Sequence, residues 1–195
     1  MRGRGKGGRY ERDVSRQLSL WWSDQRRDDI FWRTSQSGGR AKTRMKSGRK
    51  TFGQCGDIQA TDPAGRQLLD LLTIELKKGY NREPAFNAID RPRRFNPSMW
   101  EGFLRQASTD ARNAGTPYWM LVHKRDAREA VVFIPRRLYE RLRPNADLCR
   151  PVVRMITHQG VDVWGTTLTS FLECIDPSDI ARVRAAKVSI IRKRK

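Results

Sequence analysis

Asp57, Glu75 and Lys77 are the side chains whose types and spacing best suit chemistry. Leu71 to Lys78 alternates as a strand does: Leu72, Ile74 and Leu76 point one way, Thr73, Glu75 and Lys77 the other. Asp57 opens a second alternating stretch, Asp57 to Thr61, and Asp62-Pro63-Ala64-Gly65 has the composition of a turn. If that turn folds the two strands side by side as a β-hairpin, both carboxylates converge on one cation. Hard divalent ions such as Mg²⁺ take oxygen ligands, commonly one or two carboxylates plus phosphate oxygens, and Mn²⁺ suits the same donors. An ammonium beside such a site holds an attacking water and offsets charge developing on phosphorus. The bland alternative is a solvent-facing strand with a cross-strand ion pair. Against it stands the conjunction of a strand with an apolar back, a turn, and an Asp of matching parity in a strongly cationic chain.

The elements that must position these residues are legible around them. Tyr10, Val14, Leu18 and Trp21 recur at helical spacing, so a helix is expected from Tyr10 to about Trp22 or Asp24. Glu11 and Asp13 fall in its first turn, where acids suit the helix dipole. A short strand, Ile30 to Thr34, leads into Ser35-Gln36-Ser37-Gly38-Gly39 and then a basic loop, Arg40 to Lys50. After a Pro-, Arg- and Asn-rich loop, Asn81 to Pro97, a helix buries Trp100, Phe103, Leu104, Ala107 and Ala111 and stops at Gly115-Thr-Pro117. Gln106 on that helix can reach the site or sit on a solvated face. Strands at Tyr118 to His123 and Ala130 to Ile134, a short basic helix Arg136 to Arg141, a strand pair (Val152 to Thr157, Val161 to Trp164) and one or two helices follow. This order predicts an α/β fold, a central mixed β-sheet flanked by helices. Three regions are expected: a flexible basic arm (1–9), the core (10–142), and a C-terminal α/β extension with a basic tail (143–195).

Forty Lys and Arg against 21 Asp and Glu leave a net charge of +19, an imbalance that usually serves a polyanion. Nucleic acid is favoured over a membrane, since no apolar span, signal segment or anchoring amphipathic helix is visible; a soluble, cytoplasmic protein is expected. Phosphate contacts are assigned to Arg4, Lys6 and Arg9 in the arm, to Arg40, Lys42, Arg44, Lys46, Arg49 and Lys50 in the loop, and to Arg93 and Arg94. Trp21, Trp22 and Trp32 can stack on bases, with core packing expected for at least two. Cys55, Cys149 and Cys174, with His123 and His158, have no metal-site spacing and are read as ordinary core or surface residues. Nucleophile-elbow, Walker and HExxH motifs are absent.

The run Gly56-Asp57-Ile58-Gln59-Ala60-Thr61-Asp62-Pro63, leading to Ile74-Glu75-Leu76-Lys77-Lys78, resembles the active-site hairpin of PD-(D/E)xK nucleases. Within them it is most similar to archaeal-type Holliday junction resolvases and their phage-encoded relatives. In that group a glutamate of the first helix, matched by Glu11 in Arg9-Tyr10-Glu11-Arg12-Asp13, completes the acidic site. A serine-glycine loop follows the first strand, matched by Ser35 to Gly39. The resemblance implies a restriction-endonuclease-like core over about Gly8 to Ile134. By it, Asp57, Glu75 and the Leu76 carbonyl ligate Mg²⁺, Glu11 assists through a water or a second metal, Lys77 positions the nucleophilic water, and Ser35 and Ser37 contact phosphate. It also implies a symmetric homodimer acting on branched or double-stranded DNA. The chain departs from the pattern in the longer gap between Asp57 and Glu75, the basic insertion at Arg40 to Lys50, and the added C-terminal third. Two other readings stay open: a repair, restriction-type or phage DNA-processing nuclease on the same core, and a non-catalytic nucleic-acid-binding protein.

Overall fold

The computed structural model describes residues 4–34, 56–81, 99–142, 149–157 and 160–192. The chain runs α1 (Arg4–Trp22), β1 (Phe31–Arg33), β2 (Ile58–Ala60), a 3-10 turn (Pro63–Gly65), α2 (Arg66–Leu69), β3 (Leu72–Lys78), α3 (Met99–Ala114), β4 (Tyr118–Lys124), β5 (Ala130–Pro135), α4 (Arg136–Leu142), β6 (Val152–Ile156), β7 (Asp162–Thr167), α5 (Leu168–Cys174) and α6 (Pro177–Arg192). Five strands form one mixed sheet in the order β3-β4-β5-β7-β6, with β3 and β4 parallel and the other neighbours antiparallel. β1 and β2 form a separate antiparallel pair. The α/β class with a mixed sheet flanked by helices is therefore the observed one.

The sheet is covered on both faces. Leu72, Ile74, Leu76, Met120, Val122, Val132, Ile134 and Trp164 join Tyr10, Val14, Leu18 and Trp21 of α1 and Phe171 of α5 in one apolar core. On the opposite face Trp119, Leu121, Phe133 and Val163 pack under Trp100, Phe103, Leu104, Ala107 and Ala111 of α3. Both stripes expected from the sequence are buried, because residues three and four apart share one side of a helix. At Gly115 the backbone turns left-handed (φ 74°) and the helix stops.

Four expectations change. α1 begins at Arg4, so residues 4–9 are its first turns and not a flexible arm; Glu11 then lies well inside the helix, and its first turn holds no acid. β2 and β3 are not a hairpin. β2 pairs with β1, and the connection to β3 is a 3-10 turn capped by Asp62, whose carboxylate accepts from Ala64 N–H, followed by α2. The C-terminal strands do not form an appendage, because β7 pairs with β5 inside the main sheet and β6 pairs with β7. Cys149 and Cys174, read as ordinary core or surface residues, are joined in a disulfide. Their 25-residue separation gave no spacing signal, and only the docking of α5 beside the chain before β6 brings them together.

α1 is tied to β1 by a serine ladder. Ser19 Oγ donates to the Ser15 carbonyl (2.8 Å) and accepts from the Phe31 N–H (2.9 Å), all in the interior. Ser19→Ala would leave the Phe31 donor unpaired and buried, which costs about 1–3 kcal/mol. Urea denaturation is expected to show that loss, whereas Ser23→Ala, at the more exposed end of the ladder, is expected to cost less.

Candidate active site

β3 carries two side chains into the narrow space under α3. Glu75 is 3% exposed, and its Oε1 accepts from Lys77 Nζ (2.5 Å) and from Gln106 Nε2 (2.7 Å). Gln106 Oε1 in turn accepts from Lys77 Nζ (3.1 Å), closing a triangle of hydrogen bonds. The Lys77 ammonium also lies 5.4 Å from the centre of the Phe103 ring, a favourable place for a cation. The arrangement rules out the solvent-facing strand considered above, since both faces of β3 are covered over Leu72 to Leu76. An ion pair this enclosed contributes little net stability, because desolvation offsets its attraction.

Asp57 reaches the same place from the strand pair. Its N–H donates to the Ile74 carbonyl (2.8 Å), and its Oδ2 accepts from the Leu76 N–H (2.8 Å). A strand residue's N–H and C=O leave by the same edge, so the Leu76 carbonyl also faces the Asp57 side. β1 clamps this corner: Thr34 N–H donates to Asp57 O (2.9 Å) and Thr34 Oγ1 to Gly56 O (3.1 Å). The approach needs glycine at 56. Its φ is +83°, and a Cβ there would stand 2.8 Å from the Ile74 oxygen.

Asp57 sits in an unfavourable field for its charge. Burial pushes its carboxyl up to about 7, and the Glu75 charge adds to the rise; the Leu76 N–H and the Lys77 ammonium oppose it, and Glu11 adds a further push. Glu11 faces this corner from α1, with Oε2 accepting from Arg33 Nη1 at 3.3 Å. Among the described residues no three His, Cys, Asp or Glu side chains converge as a ready-made metal cage. Each glutamate is turned toward a protein cation, Glu75 to Lys77 and Glu11 to Arg33. The donor chemistry nonetheless fits a hard divalent ion: two buried carboxylates, the Glu75 charge raising the cost of ionising Asp57, with a backbone carbonyl on the same edge, make an all-oxygen donor set. A cavity of about 740 Å³ lies toward the start of β3, walled by Ile58, Gln59, Leu72 and Thr73 and by Ala114 and Gly115 at the end of α3; Asp57, Glu75 and Lys77 are not in its wall.

A family model described as "Phage putative PDDEXK endonuclease" matches residues 2–182. The chain belongs to this PD-(D/E)xK family. No curated protein and no solved structure matches it. The match spans Asp57 and Glu75-Leu76-Lys77 and runs on through the C-terminal strands to residue 182.

Of the DNA-contact candidates, Arg9 is exposed on α1; Arg4 and Lys6 lie on its first turns, and their side chains lie outside the description. Ser35, Ser37, Arg40, Lys42, Arg44, Lys46, Arg49, Lys50, Arg93 and Arg94 lie outside the described residues. Gln106 was left undecided by the sequence. It follows the buried Phe103 by three residues, so it lies on the Phe103 side of α3, and that spacing was its signal.

The electrostatics of Asp57 are testable in metal-free protein. A carboxyl whose folded pKa lies above its ordinary value costs stability as pH rises from about 4 through about 7, because the folded form keeps a proton that the unfolded chain has lost. With chelator present, Asp57→Asn is expected to melt above wild type at pH 8, with the gap closing toward pH 4. A gap independent of pH would show that the Asp57 charge carries no such cost.

Proposed function

We propose that this chain is a divalent-metal-dependent DNA endonuclease, resolvase-like in selecting branched DNA. The observation that carries the reading is the enclosed Glu75–Lys77–Gln106 triangle with Asp57 clipped beside it through Leu76. Asp57, Glu75 and the Leu76 carbonyl would hold Mg²⁺, with Mn²⁺ acceptable to the same oxygens, and Glu11 would assist through a water. When bound, the ion supplies charge neutralisation at the phosphate and acidity to a bound water.

The chain's own residues do the rest. Lys77, oriented by Glu75 and Gln106, holds the attacking water by hydrogen bonding and offsets negative charge on the phosphoryl oxygens. Gln106 fixes the Lys77 ammonium from one side and the Glu75 carboxylate from the other, so neither rotates away from the phosphate. Phe103 lines the ammonium with ring surface and keeps its charge directed into the site. The Asp57 corner, clamped by Thr34, keeps its carboxylate against the β3 edge.

The +19 charge supports a polyanionic substrate. No zinc finger or base-reading helix was evident in the sequence, which favours recognition of structure over sequence. A four-way junction has paired strands to cut, so this reading includes a symmetric homodimer with two sites.

With Mg²⁺, wild type is expected to make paired nicks in a four-way junction, and Asp57→Asn, Glu75→Gln and Lys77→Ala each to lose cleavage by 100-fold or more, as estimated from the cost of removing a key stabilising group, while still binding DNA. Full activity in Lys77→Ala would overturn the mechanism; equal cutting of linear duplex would keep the chemistry and remove the branch selectivity. Neutralising Lys42, Arg44 and Lys46 together is expected to weaken binding to all DNAs and flatten the dependence of affinity on salt. Loss confined to one sequence would mean base readout by that loop.

A further inference from the structure

We propose that Tyr80 is a base-stacking platform at the rim of the active site, engaging an unpaired or extruded base next to the phosphate under attack. This rests on the nuclease reading above and names the feature by which that site would favour branched DNA.

Among the described residues only two aromatic side chains are exposed, Trp32 at 45% and Tyr80 at 47%. Trp21 is in the core and Trp22 is packed against it. Tyr80 follows directly on β3, three residues after Lys77, and its backbone is left-handed (φ 54°). Bulky residues avoid that conformation, and such positions persist only where the surroundings hold them.

Here the surroundings hold Tyr80 from both sides. Gly79 N–H donates to the Lys124 carbonyl (2.9 Å), and the Gly79 carbonyl lies 3.1 Å from His123 Nε2. On the other side Asn81 Nδ2 donates to Asp126 Oδ2 (3.0 Å) while the Asp126 N–H donates to Asn81 Oδ1 (2.8 Å). The backbone of Tyr80 is thus pinned to β4 and to the turn that follows it. Its ring meets Phe103 at 4.9 Å and 63°, and His123 at 6.5 Å and 61°. These are edge-to-face contacts, which orient the ring while leaving much of it in solvent.

Phe103 is the link to the chemistry, because the same ring carries the Lys77 ammonium at 5.4 Å. A phosphate held near Lys77 therefore has Tyr80 one ring away, at the scale of the neighbouring nucleotide. An aromatic fixed there stacks on any base, since every base has a π-face. In continuous duplex those faces are covered by adjacent pairs, so only an unpaired, terminal or extruded base can use the platform. Trp32 is the rival platform: its Cα partner is Gln59 on β2, and no ring contact links it to Phe103 among the described residues.

The test uses full-length protein with Asp57→Asn present, so that DNA stays intact, and forked DNA carrying 2-aminopurine at successive positions about the branch. Binding is expected to quench the probe at one position, Tyr80→Ala to abolish that quench, and Tyr80→Phe and Tyr80→Trp to keep it. With Asp57 restored, Tyr80→Ala is expected to lower kcat/KM on the fork about tenfold or more, the scale of one lost base stack, and on linear duplex less than about twofold. Quenching that survives Tyr80→Ala, or that is lost in Trp32→Ala instead, overturns the proposal; so does an equal loss of cleavage on fork and duplex. The fluorescence arm needs no catalysis, so a protein that cleaves nothing would refute the nuclease reading while leaving the platform to be judged by quenching.

Discussion

The structure turns on a two-point clip between Asp57 and the edge of β3: its N–H to the Ile74 carbonyl and its carboxylate to the Leu76 N–H. One bond is main chain and fixes register; the other turns the acidic side chain onto the strand bearing Glu75 and Lys77. Satisfying the backbone at Ile74 and Leu76 is what a neighbouring strand would ordinarily do at a sheet edge. Here the Asp57 carboxylate takes part of that duty, so edge protection and the placing of this acid on β3 depend on the same residue. Gly56 permits the close approach and Thr34 holds it from β1.

The electrostatics follow from where this clip lies. A protein of net charge +19 has encased two carboxylates, Glu75 bonded to one ammonium and one amide and Asp57 to the Leu76 N–H. Most other ion pairs are at the surface, such as Arg16 with Asp28 and Arg184 with Asp70, where solvent screening leaves them worth little. The buried group is different: it is costly to ionise, as the upward shift of Asp57 records, and a cation offered by solution would lower that cost. A buried acid perturbed in this way by a neighbouring carboxylate is a mark of functional sites.

The C-terminal third bears on the site from a distance. β7 enters the sheet beside β5, and α5 and α6 complete the core behind Ile74 and Leu76 through Phe171, Ile175 and Ile180. Trp21 of α1 donates through Nε1 to the Ile175 carbonyl at 2.9 Å, so the helix bearing Glu11 is anchored to the segment between α5 and α6. What reads as an addition in sequence is part of the hydrophobic core behind β3.

The sequence by itself determined the periodic elements and singled out Asp57, Glu75 and Lys77 as candidates. Helix stripes such as Tyr10-Val14-Leu18 and Trp100-Phe103-Leu104, and the parity of Glu75 with Lys77, follow from repeats of 3.6 and 2 residues that local geometry imposes. Charge and composition likewise marked the polyanionic partner. The tertiary structure decided everything that depends on residues distant along the chain. That α1 extends back to Arg4 could not be seen in a Gly- and Arg-rich segment without an apolar repeat. That β2 pairs with β1 across the basic loop, and not with β3, depends on which edges remain open once the sheet has formed. Gln106 joining Glu75 and Lys77, Cys149 meeting Cys174, and Tyr80 standing beside Phe103 are contacts across 25 residues or roughly that many. Such contacts form because packing removes apolar area from water and brings together whatever polar groups lie on the packed faces, a result that no local pattern encodes.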